Sequence, residues 1–190
     1  MKNILKILVF SLVAIVGLSS FNNLKIESET IEDITSQRYE LMLGEFTLEE
    51  LKATKNKKWF ESNYKTYKPD EKVLTEIKEH LKNNNFNIEI YLGTWCPDSR
   101  REFPRMIKIL NESNFDIEKL KIVGVNRDKV VPEVSEEKRE ILNVNHVPTI
   151  IFYKDGKEIN RFVEFAQENL ESDVLKIVSG QDYKHSYEDF

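Results

Sequence analysis

Ile88-Glu89-Ile90-Tyr91-Leu92-Gly93-Thr94-Trp95-Cys96-Pro97-Asp98-Ser99 holds the only cysteine in a chain of 190 residues. The first five of these are rich in β-branched and aromatic side chains, and Gly93-Thr94 punctuates their end, which predicts a strand over 88–92. From Ser99 to Asn111, the apolar residues Phe103, Met106, Ile107 and Leu110 recur as on one face of a helix. Cys96 therefore falls where a strand hands over to a helix. A thiol there meets free backbone N–H groups and the positive end of the helix macrodipole, which favour the reactive thiolate. The other fate of a lone cysteine is a buried structural position. Pro97, Asp98 and the arginines at 100 and 101 argue against a dry core and for an accessible nucleophile.

The segment resembles the active-site loop of the thioredoxin family, in which Trp-Cys-x-x-Cys opens a long helix. Pro104 matches the proline that kinks that helix. Val147-Pro148-Thr149 resembles the family's cis-proline segment, which faces the reactive sulfur. The run Ile150-Ile151-Phe152-Tyr153-Lys154-Asp155-Gly156-Lys157-Glu158-Ile159 follows it, as the last two strands do in the family. The resemblance covers roughly Pro69 to Gly180. It implies an α/β fold: a thioredoxin-like three-layer sandwich, with a mixed central sheet and helices on both faces.

Two departures bear on function. The family's second cysteine is Ser99 here, giving Cys-x-x-Ser. A dithiol enzyme attacks a disulfide with its first sulfur and releases the mixed disulfide with its second, and Ser99 cannot supply that second attack. The buried carboxylate that dithiol thioredoxins place ahead of the first cysteine corresponds to Ile90. Glu89 is adjacent, but strand alternation turns it to the opposite face. The nucleophile is kept and its resolving apparatus is not.

Composition excludes several classes. The formal net charge of −5 gives no reason to expect nucleic acid. His80, His146 and His185 are scattered and no Cys/His set has metal-ligand spacing. The six glycines form no phosphate-cradling loop, so neither a metal nor a cofactor is expected. Lys2 and Lys6 precede an apolar run from Ile7 to Leu18 that ends in small residues, the pattern of a secretory signal peptide over 1–20. The run is shorter than the ~20 residues that span a bilayer. The expected location is periplasmic or secreted, with no stable membrane insertion after signal cleavage; the alternative is an uncleaved anchor. In an oxidising compartment a lone thiol has no internal partner, so its products are a mixed disulfide, a sulfenic acid or an intermolecular dimer.

Residues 21–68 read as a linker and N-terminal helical extension. Thr47 and Glu50 form a capping box that opens a short helix from Leu48 to about Lys55. Trp59, Phe60, Tyr64 and Tyr67 follow at loose spacing, and are read as rings that dock the extension rather than as a recognition patch. The thioredoxin-like domain is placed at 69–180. It has helices over 70–83, 99–111, 135–142 and 167–178, strands over 88–92 and 121–126, and a hairpin over 149–154 and 157–163 turned by Asp155-Gly156. Residues 181–190 are read as a loose acidic-aromatic tail.

By the resemblance, the candidate catalytic residues are Cys96 and Ser99. Trp95, Pro97, Val147, Pro148 and Thr149 would bind substrate, with the backbone of Val147 offering a short strand edge to a peptide. Ser99 can donate to the thiolate; Arg100, Arg101 and Arg105 are candidate tuning charges and Asp98 opposes them. His146 is read as a rim residue rather than a base. The expected function is thiol–disulfide exchange by a monothiol mechanism. Its partners are client proteins with thiols or disulfides and an external thiol reductant. A redox-inactive protein-binding module is the alternative.

Overall fold

The computed structural model describes residues 38–188, and the leader expected over 1–20 lies outside them. In chain order the elements are β1 (Gly44–Glu45), α1 (Leu48–Lys52), α2 (Lys57–Thr66), α3 (Glu71–Lys82), β2 (Phe86–Leu92), α4 (Pro97–Glu112), a 3-10 turn (Ile117–Lys119), β3 (Leu120–Gly124), α5 (Glu136–Leu142), β4 (Thr149–Lys154), β5 (Lys157–Val163) and α6 (Leu170–Ser179). The sheet order is β1-β3-β2-β4-β5. β2 and β3 run parallel, and every other neighbour pair is antiparallel. This is the mixed α/β sandwich of the thioredoxin fold.

Strand alternation sorts the core into two layers. Ile88, Ile90 and Leu92 point to a large cluster shared with Phe60, Ile77, Phe103, Met106, Val174 and Ile177, so α2, α3, α4 and α6 contribute to that layer. Tyr91, Val123 and Ile151 point the other way, to a smaller cluster with Val125, Val131, Leu142, Val147 and Cys96. Glu89 lies on this second side, where its carboxylate accepts the hydroxyls of Tyr91 (2.7 Å) and Tyr153 (3.2 Å). Burial and the neighbouring carboxylate push both phenols well above their usual range.

Local chemistry fixes the element ends. Thr47 and Glu50 satisfy each other's backbone N–H groups in a complete capping box, Asp70 caps α3, and Ser135 caps α5. Asp155 and Gly156 both have positive φ (53° and 78°), the type I′ geometry that matches strand twist.

Residues 39–68 and 69–180 belong to one compact unit, Tyr39–Phe190. β1 joins the sheet edge with Gly44 opposite Gly124. A side chain at Gly124 would sit 2.2 Å from the Met42 carbonyl oxygen, so only glycine lets that segment approach. The aromatic residues after Lys55 form a regular helix, α2, whose Phe60 ring lies 5.7 Å from Phe103 of α4. The buried Asn56 exchanges two hydrogen bonds with the Glu40 backbone (2.9 and 2.8 Å).

The tail is not loose as expected. Tyr183 is buried and its hydroxyl donates to Asp173 at 3.2 Å. Ser186 donates to the Phe165 carbonyl at 2.7 Å, Tyr187 bonds Glu164, and the Tyr187 ring stacks on His146 at 3.6 Å. Acidic composition pointed to solvent, but aromatic burial decides the outcome.

Candidate active site

Cys96 is the N-cap of α4 in extended backbone (φ −82°, ψ 127°), with Pro97 opening the helix and no side chain capping it. Proline suits this position because its missing N–H would have no partner there. The N-terminal N–H groups of α4 beside the sulfur are thus not taken by a capping side chain. The thiol donates to the Val147 carbonyl at 3.3 Å, and the Val147–Pro148 bond is cis. The chain thereby brings together two segments 51 residues apart. The Val147 N–H has no partner among the described residues, while the Pro148 carbonyl accepts the Glu164 N–H at 2.8 Å. Thr149 anchors the loop by donating from its hydroxyl to the His146 carbonyl at 2.7 Å.

Two expectations about the nucleophile are corrected. Cys96 is only 5% exposed, because Val147 and the apolar residues of the smaller core cluster pack around it; it is not the accessible thiol expected. Ser99 is fully buried, and its hydroxyl accepts the Gly93 N–H at 3.2 Å. That bond ties α4 to the end of β2, and among the described residues no hydrogen bond joins the Ser99 hydroxyl to the sulfur.

The arginines of α4 are likewise committed. Arg101 pairs with Asp98 at 2.8 Å and also with Glu102, which is buried. Arg105 reaches Glu102 at 3.4 Å and lies over the Tyr67 ring. Arg100 lies over the Tyr39 ring, 5.5 Å from its centroid. His146 is stacked on Tyr187 and lines a cleft with His185, a rim position.

Trp95 is held by its indole N–H, which donates to the Val125 carbonyl at 3.0 Å. Gly93 makes room for it: a side-chain carbon at 93 would fall 2.5 Å from the ring. The Arg127 guanidinium lies 5.3 Å from the Trp95 ring centroid and donates to the Tyr39 hydroxyl at 2.9 Å. The buried Thr94 accepts the Met42 N–H at 3.3 Å. Tyr39, Met42 and Arg127 border the site and were not legible in sequence. Arg127 follows a strand with no motif around it, and Tyr39 lies in a segment read as linker.

Of the remaining predicted residues, Pro97 is exposed, while Val147, Pro148 and Thr149 are buried beside the sulfur. Among the described residues, no group of three or more His, Cys, Asp or Glu is placed to hold a metal ion, and no helix is long and apolar enough to cross a membrane.

No curated protein matches the sequence. Among solved structures, the chain is similar to a protein of unknown function from Pseudomonas aeruginosa (15% identity, 71% of this chain and 87% of that one, TM-score 0.47). It is also similar to the thioredoxin of Fasciola hepatica (23% identity, 56% and 88%, TM-score 0.35). A third is mitochondrial thioredoxin 3 of Saccharomyces cerevisiae (23% identity, 46% and 74%, TM-score 0.29). The family model described as thioredoxin matches residues 45–176, and the chain belongs to the thioredoxin family, with the thiol–disulfide redox role which that family supports in general.

Proposed function

We propose that the protein is exported and performs thiol–disulfide exchange through Cys96 alone. The observation that carries this reading is the meeting of Cys96 Sγ, at the start of α4, with the Val147 carbonyl at 3.3 Å across the cis-proline loop. The Cys96 thiolate attacks one sulfur of a client disulfide. A Cys96–client bond forms, the client S–S bond breaks, and the second client sulfur leaves as a thiolate. An external thiolate then attacks the client sulfur of the mixed disulfide and expels Cys96 as thiolate; the client leaves disulfide-bonded to that thiol. If a different cysteine thiolate of the client attacks instead, a new client disulfide forms, Cys96 leaves as thiolate, and the cycle is an isomerisation. The Val147 N–H, unpaired among the described residues, is the donor that a client backbone would meet in strand-like pairing once it reaches the buried Val147 segment. Trp95, with Arg127 over its ring, and the exposed Pro97 border the approach. Export is supported by the basic and apolar pattern of residues 1–20.

A second reading, a redox-inactive binding module, is favoured by the burial of Cys96 and by the engagement of its thiol hydrogen. The aromatic disulfide 5,5′-dithiobis(2-nitrobenzoate) separates the two. The folded protein should release one equivalent of coloured thiolate and keep the other half on Cys96, and an added thiol should reverse this. Release only after denaturation would contradict the exchange reading and favour the binding module.

A further inference from the structure

Helix α4 carries Cys96 at one end and Ser113 as its C-cap at the other, about 26 Å away at the rise of an α-helix. A cleft of ≈ 400 Å³ opens at that far end, between α3, the start of β2 and the turn after α4. Its polar lining is basic: Lys78 and Lys82 from α3, and Lys119 from the 3-10 turn. Neither Lys78 nor Lys82 is paired with a carboxylate among the described residues. Lys119 donates to the neutral side chain of Asn85 at 3.0 Å. The one carboxylate in the lining, Asp116, already accepts the Glu118 N–H at 3.1 Å. Phe115, half-buried, supplies the apolar wall, with the fully buried Phe86 behind it.

Ser113 also lines the cleft. It is 2% exposed, and its hydroxyl is the one buried side-chain polar group among the described residues without a hydrogen-bond partner. A buried hydroxyl is costly unless something bonds it, so an unpaired one marks a place where a ligand atom is wanted. The dipole ends of α3 and α4 point their negative poles toward this region, and Lys82, in the last turn of α3, balances part of that. Lys78 stands one turn earlier on α3 and lines the same cleft.

We infer that this cleft binds a small organic anion, a phosphate or carboxylate carried on a flat apolar body. Lys78, Lys82 and Lys119 meet the charge, the Ser113 hydroxyl bonds the ligand, and Phe115 covers the apolar part. The site is independent of the thiol chemistry at the other end of α4.

The test is calorimetric titration and amide-shift mapping of the full chain with phenyl phosphate at low ionic strength. Phenyl phosphate should bind with a dissociation constant below roughly 1 mM, with shifts at Ser113–Lys119. Inorganic phosphate and phenol, each lacking half of the ligand, should bind at least roughly tenfold more weakly. The double substitution Lys78→Gln/Lys82→Gln should weaken phenyl phosphate by roughly tenfold or more, the loss expected from one charge-assisted hydrogen bond, while the melting temperature stays near that of wild type. No binding at about 10 mM, equal affinity of the double variant, or shifts mapping elsewhere would overturn the inference. Lysine-dependent binding to phosphatidic acid vesicles without binding of phenyl phosphate would overturn the assignment to a soluble ligand.

Discussion

Lys108 is the test of how the active-site helix is fastened. Its side chain is 8% exposed, yet its ammonium donates to the carbonyls of Tyr64 (3.2 Å) and Tyr67 (2.7 Å). Tyr64 lies in the last turn of α2 and Tyr67 is its C-cap, where carbonyls lack helical partners. The ammonium also lies 5.5 Å from the Tyr64 ring centroid and 3.8 Å from Glu112. Lys108→Met keeps the stem and deletes the charge. Two bonds from a charged donor contribute about 1.5–3 kcal/mol each, and relief of the buried ammonium's desolvation offsets part of that sum. The net loss should be about 2–3 kcal/mol, which lowers the melting temperature by about 4–12 °C for a domain of this size. Urea unfolding should show a lower midpoint with an unchanged slope, and Lys108→Arg should recover part of the loss. A change below about 0.5 kcal/mol would refute the reasoning, since it would mean that both carbonyls find water once the ammonium is gone.

Gly93→Ala places a carbon 2.5 Å from the Trp95 ring, and should displace the indole and cost roughly 1–3 kcal/mol. In a Trp59→Phe background, an unshifted tryptophan emission would refute that expectation. Burial holds the His185 imidazole below its ordinary value of 6.5, with Glu188 opposing the shift. The unfolded chain therefore binds more protons in the window just below pH 6.5, and stability should rise with pH through that window and fall on acidification. His185→Gln should flatten this part of the stability profile; an identical profile would remove His185 as its source. Ser99→Cys supplies the missing second sulfur and should raise dithiothreitol-dependent reduction of insulin above that of wild type. Equal rates would show that another departure is limiting.

The sequence exposes the framework of this fold because its signals are local. A strand-to-helix handover at Cys96, the capping box at Thr47 and Glu50, and the Asp155-Gly156 turn each specify backbone over a few residues, and the hairpin strands fall over 149–154 and 157–163 as predicted. Elements held by distant partners were less legible. The two-residue strand β1 exists because Gly124 admits the Met42 backbone. Helix α2 starts at an Asn56 whose side chain is spent on Glu40 and Trp59 rather than on a cap, so it announces no beginning. At the site, position along the chain located Cys96 and Val147 but not their burial. The hydrogen bond from the Gly93 N–H to the Ser99 hydroxyl was equally hidden, since it forms across the handover.

The central claim is that Cys96 forms mixed disulfides with client proteins. The direct measurement is to trap thiols by alkylation in the native compartment, purify the protein without reductant, and separate it on a non-reducing gel. The account predicts higher-mass species that collapse on reduction and are missing from Cys96→Ser. A contradictory result would be a protein recovered only as free monomer, with Cys96 alkylated only after denaturation.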